Sequence, residues 1–498
     1  MFYLISANRT ASSDVVLRSR DESGTKFEFV VRGFKPFFYA PRNENIEDIT
    51  ITGEETPYIS CFGDPIKKIY VSNPSDVPKL RDRFSKTWEA DIPYARRFLI
   101  SKEIRTHFKI TDFEELLGDG THIVSCDSVI GDGDPRFDSE TDGFNPDPLP
   151  YEPPKLEIHS LDIECYTRGG RMPDPEVDPI TCTTIGDSHC GFVTIVLDDT
   201  EFTEEKENWT VLHVKTEETL IRTLLILSKP SDIIIGWNTE FDFEYLKKRA
   251  RTFNIEVDFS GINIFDLLTA YRSLYSRKSY RLKDISIDEG LATELEPQVD
   301  YGAMWDKNRA GLIERNKRHA EWVVQIDRKL KITDYFWSLK EIAGIEQLES
   351  TIHNSILIDT LMLRSTSSPL PSKERHVHTP YEGAVVLQPP IGVFDNVADF
   401  DLKMFYPTVL KSELLEPLIL TPFMKEKGGA PVDWISYREY AQKYLEANKP
   451  VLLLSLIDEM IDERVRLQSN PEHRGKLAAI KALLNAVYGL YGHPNFRL

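Results

Sequence analysis

Cysteine is scarce in this chain of 498 residues: Cys61, Cys126, Cys165, Cys182 and Cys190 make an odd set, and no two form a C-x-x-C pair. Neither a disulfide framework nor a cysteine-built zinc site is expected, which leaves scattered reduced thiols. Long apolar runs are missing as well. No stretch approaches the ~18 consecutive apolar residues that a membrane-crossing helix needs. The opening MFYLISANRTASSD lacks the basic and apolar regions of a secretory signal. A cytoplasmic protein with no membrane partner is therefore expected. Positive charge is in deficit, with 60 Lys and Arg against 80 Asp and Glu and a net charge of −20. So acidic a chain does not grip phosphates over its whole surface, although a local basic groove can sit on an acidic body. No internal repeat of fixed period is visible.

What is present is globular, with 41% hydrophobic and 28% charged residues. At roughly 100–200 residues per domain, three or four domains are expected. Residues 26–32, KFEFVVR, alternate like a strand, and FKPFFYAP follows as an aromatic run punctuated by prolines. A stretch rich in Asp and Pro at 131–155 reads as a surface linker closing a mixed N-terminal domain, 1–153. From 154 to 345 strand-like runs alternate with helical ones: KLEIHSLDIEC, ITCTTIGD, GFVTIVLD, a helix over 217–230, DIIIGWN, then a helix beginning at Phe241. That order predicts an α/β domain. Residues 311–345 look helical, and 346–380 form a connector. A region over 381–433 carries strand-like runs broken by Pro-Pro and Gly, and 434–498 is mostly helical.

Asp162 and Glu164 stand two apart on a predicted strand, so both side chains point to one face. Two carboxylates on one face repel unless a proton or cation lies between them, and a divalent metal pair could orient water there for attack on a phosphodiester. A merely solvated strand face fits D-x-E equally well. Downstream, Asn238 follows a buried strand, and Phe241-Asp242 opens a helix with Tyr245-Leu246 one turn on. This resembles the second 3′–5′ exonuclease motif of the family B DNA polymerases, one residue short between Asn238 and Phe241. The resemblance implies an RNase H-like exonuclease domain with Asp162, Glu164 and Asp242 as metal ligands. It also implies a third motif, Tyr-x-x-x-Asp on a helix, the Tyr orienting the attacking water and the Asp closing the metal site. Here that stretch reads Arg315-Asn-Lys-Arg-His319. His319 is expected to be solvated among its basic neighbours, with a general-base role as the sharper alternative. Asp327 is nearby in sequence but two turns further along. An exonuclease fold with weakened or absent proofreading is the expectation.

The same family resemblance continues along the chain. YEGA at 381–384 is similar to its Tyr-x-Gly-Gly/Ala element, and FKPFFYAP to its Phe-x-Pro-Tyr-Phe-Tyr element. Asp401-Leu-Lys-Met-Phe-Tyr406-Pro407 resembles the polymerase A motif, and Lys481-x-x-x-Asn485-Ala-x-Tyr488-Gly489 the B motif, with Ala486 in place of Ser. The resemblance implies that Asp401, at a strand end, holds the catalytic metal ions, Mg²⁺ or Mn²⁺ as a pair. Pro407 is expected to fix the sharp turn that follows. Tyr406 is implied to lie beneath the deoxyribose, and Arg464 and Lys481 to reach the triphosphate. Asn485 and Tyr488 are implied to face the nascent base pair. Positions 481, 485 and 488 share one helical face, beside an apolar stripe of Ile480, Leu484 and Val487.

The partners implied are primer–template DNA and dNTPs, with a sliding clamp as a further one, in a cytoplasmic, nucleoid-associated setting. No Asp-Thr-Asp, the family's second palm carboxylate motif, occurs anywhere in the sequence. A split gene with a second polypeptide carrying the rest of palm and thumb is the favoured expectation, ahead of a fragment or a decayed relative. A partial palm (381–433) with helical fingers (434–498) completes the expected architecture. The competing functions are a nuclease working through 154–345 alone and a non-catalytic DNA-binding scaffold.

Overall fold

The computed structural model describes residues 1–498 except 47–50, 54–56, 138–153, 168, 170, 188, 295–298, 375–386, 403, 429, 470–472 and 494–495. The YEGA run at 381–384 and most of the Asp- and Pro-rich stretch fall outside the described residues.

The N-terminal third is built on a seven-stranded sheet. Phe2–Arg9, Val15–Arg20 and Lys26–Arg32 form an antiparallel meander, and His122–Ser125 adds in parallel beside Lys26–Arg32. The alternation in KFEFVVR buries Phe29 and Val31 against Leu4, Leu17, Phe98 and Phe108. A smaller sheet, on Phe37–Pro41 and Pro65–Val71, uses the aromatic run for its own core with Phe38, Ile69 and Phe84.

The second large sheet carries the D-x-E strand at an interior position. Its order is Phe202–Lys206, Trp209–Val214, Gly191–Leu197, Ile180–Asp187, Ile158–Cys165, Ile233–Gly236 and Asn263–Asp266. Ile158–Cys165 pairs antiparallel with Ile180–Asp187 and parallel with Ile233–Gly236. The period of two sorts its side chains between two layers. Leu161, Ile163 and Cys165 pack among Leu220, Leu224, Phe243 and Leu246 of the helices Glu217–Ser228 and Thr239–Thr252. Asp162 instead meets the long helix Arg309–Leu330 on the other face. That helix stops where Lys331 takes a left-handed conformation (φ 53°), and Ile332–Ala343 continues in a new direction.

Of the helices that follow, Trp434–Glu446 packs through Tyr437 and Ala441 on Ile419 and Phe423, while Asn354–Arg364, Phe405–Ser412, Pro417–Glu426, Leu453–Leu467 and Arg474–Leu490 are joined to the rest by a shared core. It runs from Tyr3 and Ile5 through Phe265 and Phe336 to Leu456, Leu483 and Val487. The expected stripe Ile480, Leu484 and Val487 is buried there. Among the described residues no helix is long and apolar enough to cross a membrane.

One local expectation is corrected. Residues 387–402 form no strand, so Asp401 does not stand at a strand end. Ile391, Val393, Val397 and Phe400 are all at least 74% exposed. A strand needs neighbours for its N–H and C=O groups and a surface to cover one face. Among the described residues no strand follows Asn263–Asp266. The turn also sits elsewhere: Met404 adopts φ 55°, and Pro407 lies in the first turn of the helix Phe405–Ser412, where its missing N–H costs nothing.

Candidate active site

Three elements converge on the second sheet. The Ile158–Cys165 strand presents Asp162 and Glu164. The tight turn after Ile233–Gly236 is closed by Asn238 in a left-handed conformation (φ 70°), whose N–H donates to Asp266 Oδ1 at 2.7 Å. That turn starts the helix Thr239–Thr252 so that Asp242, in its first turn, is buried beside Asp162. From the opposite side, Arg309–Leu330 brings Arg315, Asn316 and His319 over the carboxylates. Asp162, Glu164, Asp242, Arg315 and His319, together with Trp237 and Tyr301, line a cavity of about 560 Å³.

Asn316 is fully buried, and its Nδ2 donates to Asp162 Oδ2 at 2.6 Å. Its amide is fixed by a directional chain. Trp209 Nε1 donates to Thr194 (2.8 Å), the Thr194 and Thr184 hydroxyls are 2.7 Å apart, and Thr184 Oγ1 donates to Asn316 Oδ1 (2.5 Å). The amide orientation that satisfies every donor leaves Asp162 as the acceptor at its end. His319 Nδ1 lies 3.9 Å from both Asp162 Oδ2 and Glu164 Oε1, and its ring stacks on Trp322 at 5.7 Å.

Burial raises the Asp162 carboxyl above the usual range, against the opposing pull of His319, Asn316 and Arg315. Burial and the repulsion of Asp162 raise Asp242 well above it. Two buried acids, one of them lifted further by the other, form a site that a cation would relieve. The donor set fits a divalent ion, because one atom each from Asp162, Glu164 and His319 lies within 4.8 Å of the others.

The solvated placement expected of His319 is thereby corrected: its side chain is only 14% exposed and faces the acids. The helical period explains this. Leu312, Asn316, Ala320 and Val323 mark the buried face, and His319 lies on its edge, while Lys317 turns away to bond Glu321. Asn316 and Tyr301 were missed by the sequence reading; the spacing from Asn316 to His319, three along one helix, was an available signal. Asp327 stays out of the site: burial pushes its carboxyl up to about 6, and it accepts the Thr333 N–H at 2.8 Å.

The residues matched to the polymerase motifs lie outside this cavity, and of them the structure brings Tyr406 onto Tyr488. Tyr406 and Tyr488 stack with ring centroids 4.6 Å apart and planes 23° apart. Lys481, Asn485 and Tyr488 are exposed along one face of Arg474–Leu490, Arg464 is half-buried on Leu453–Leu467, and Asp401 is exposed.

Comparison with known proteins fits this geometry. Residues 85–281 match the family described as DNA polymerase family B, exonuclease domain. Over those residues the chain is similar to the family B DNA polymerases. It is 26% identical to a DNA polymerase of Methanocaldococcus jannaschii, over 75% of this chain and 24% of that protein. With a DNA polymerase of Archaeoglobus fulgidus it shares 25% identity over 92% of this chain and 60% of the relative. The chain thus spans less than two-thirds of the length of these relatives. The solved family B DNA polymerase of Pyrobaculum calidifontis superposes with a TM-score of 0.75 over the whole chain and 69% of its own length, at 20% identity, a likeness of fold.

Proposed function

We propose that this chain supplies the exonuclease-type domain (154–345), a partial palm (381–433) and the fingers (434–498) of a DNA-directed DNA polymerase. Its substrates are primer–template DNA and dNTPs, and its setting the cytoplasm at the nucleoid. The observation that carries this reading is the stacking of Tyr406 on Tyr488. It joins two motifs far apart in sequence into one exposed face that also bears Lys481 and Asn485.

Each side chain has a part suited to its chemistry. Arg464 grips phosphate oxygens in a planar fork, and Lys481 meets them as a point charge. Tyr406 lies against the deoxyribose and excludes a 2′-hydroxyl by its volume. Asn485 and Tyr488 face the nascent base pair. Asp401 holds one side of a divalent ion pair, Mg²⁺ or Mn²⁺, which when bound activates the primer 3′-hydroxyl and neutralises the phosphates. The further carboxylate that such chemistry needs comes, in this reading, from a second polypeptide with the rest of palm and thumb. A sliding clamp is a further partner. Proofreading is weak or absent, because Arg315 and His319 line the exonuclease cavity where the family pattern has Tyr and Asp.

A second reading, a non-catalytic DNA-binding scaffold, is favoured by one observation. Among the described residues Asp401 belongs to no group of three side chains able to hold an ion. Primer extension with Mg²⁺ and dNTPs, set against Asp401→Ala, tests the need for a partner. The chain alone is expected to bind primer–template with a salt-sensitive affinity and to add no nucleotide. Extension that disappears in Asp401→Ala would show that the chain finds its other carboxylate internally.

A further inference from the structure

Resting on the reading of the exonuclease-type cavity as a metal site, we infer that His319 is a ligand, with Asp162 and Glu164, of a single divalent-cation site that takes Co²⁺ or Zn²⁺ in preference to Mg²⁺. The three donor atoms already face one point: His319 Nδ1 is 3.9 Å from an oxygen of each carboxylate. Ligand atoms of one ion with bonds of about 2.0–2.2 Å sit roughly 3–4 Å apart, so a small inward movement closes the set.

An imidazole changes which ion is preferred. Mg²⁺ demands near-octahedral oxygen ligands and sheds water reluctantly, whereas imidazole suits later first-row ions, whose affinity rises along the series toward Co²⁺ and beyond. The surroundings hold the donors for such an ion. The stack on Trp322 fixes the imidazole plane, and the Trp209–Thr194–Thr184–Asn316 chain aims the Asp162 oxygen. Outer-shell partners of this kind orient ligands and tune affinity.

The count of one ion follows from charge. Arg315, 7% exposed, lines the same cavity and brings a fixed positive charge beside Asp162. A second cation would meet that guanidinium at close range. Asp242, buried next to Asp162 and outside the group of three, is left as a neighbouring acid rather than the bridge of an ion pair.

The test is metal binding by the full chain, read by the visible absorption of Co²⁺ and by calorimetric titration with Co²⁺, Zn²⁺ and Mg²⁺. The variants are His319→Ala, His319→Asp and Asp162→Asn, each checked for native circular dichroism. Binding that Asp162→Asn removes defines the site and separates it from background at other histidines. The expected result is one such Co²⁺ per chain, bound at least ~10-fold more tightly than Mg²⁺, the scale that even outer-shell partners command. His319→Ala should abolish that preference and alter the Co²⁺ spectrum, and His319→Asp should shift the preference toward Mg²⁺. Equal affinities for Co²⁺ and Mg²⁺, unchanged in His319→Ala yet lost in Asp162→Asn, would overturn the role of His319 and leave the metal site standing. No binding sensitive to Asp162→Asn would overturn both.

Discussion

Replacing Arg315 by Tyr and His319 by Asp together is expected to raise Mg²⁺-dependent release of nucleotides from the 3′ end of single-stranded DNA by at least ~10²-fold. This is the lower end of what a positioned proton-transfer or orienting group contributes. The carboxylates Asp162, Glu164 and Asp242 are already in place around the cavity. What the wild-type cavity has in addition is a buried guanidinium and an imidazole. The guanidinium competes with a metal ion for the same acids, and the imidazole is a poor ligand for Mg²⁺. The double substitution removes that charge, adds an oxygen ligand, and adds a hydroxyl able to orient water. A 5′-labelled oligonucleotide on a denaturing gel reads the result, with Asp242→Ala in the doubly substituted background as the null. Appreciable wild-type degradation in Mg²⁺ that Asp242→Ala abolishes would show that Arg315 and His319 do not impair the site.

Arg497→Ala is expected to lower stability by about 3–5 kcal/mol, the range for removing one partner of a buried ion pair. The Arg497 side chain is 1% exposed. Its guanidinium donates to both Asp359 oxygens, to Asp91 (3.0 and 3.2 Å) and to the Pro371 carbonyl (2.8 Å). It thereby ties the end of the chain to the helix Asn354–Arg364 and to the N-terminal region. Without it, Asp359, 6% exposed in the intact protein, keeps Lys373, at 3.0 Å, as its ion-pair partner among the described residues. The pH dependence has a definite sign. Burial alone would raise the Asp359 carboxyl, yet Arg497 and Lys373 hold it below its ordinary value. A depressed acid contributes stability above the unfolded-state pKa and loses it as pH falls through the folded one. The gap between wild type and variant in urea melts should therefore be full at pH 7 and shrink below about pH 4. A gap of equal size at both pH values would assign the effect to packing alone.

Much of the frame was legible because burial and period coincide. KFEFVVR and the D-x-E strand carry the alternation of half-buried strands, and both form as read. Positions 481, 485 and 488 share the exposed face of their helix, with Ile480, Leu484 and Val487 buried beside it. The stretch before Asp401 looked like a strand by composition, but strand pairing is a property of neighbours, which its own residues cannot supply. His319 was misplaced for a different reason. The adjacent Lys317 and Arg318 suggested solvent, whereas the period set by Leu312, Asn316 and Val323 turns His319 inward. Tyr301 reaches the cavity from the separate helix Tyr301–Lys307, a convergence that no local spacing encodes.

Template direction itself is tested most directly by nucleotide discrimination. Fluorescently labelled primer–template would be titrated with the chain in Ca²⁺, in the presence of each dNTP in turn. A polymerase fingers face predicts that the dNTP complementary to the templating base tightens the complex several-fold over the other three. That selectivity should be lost in Lys481→Ala and Tyr488→Ala. Binding of DNA with equal affinity in all four nucleotides, unaffected by either substitution, would contradict it and identify the chain as a scaffold that keeps the polymerase shape without its chemistry.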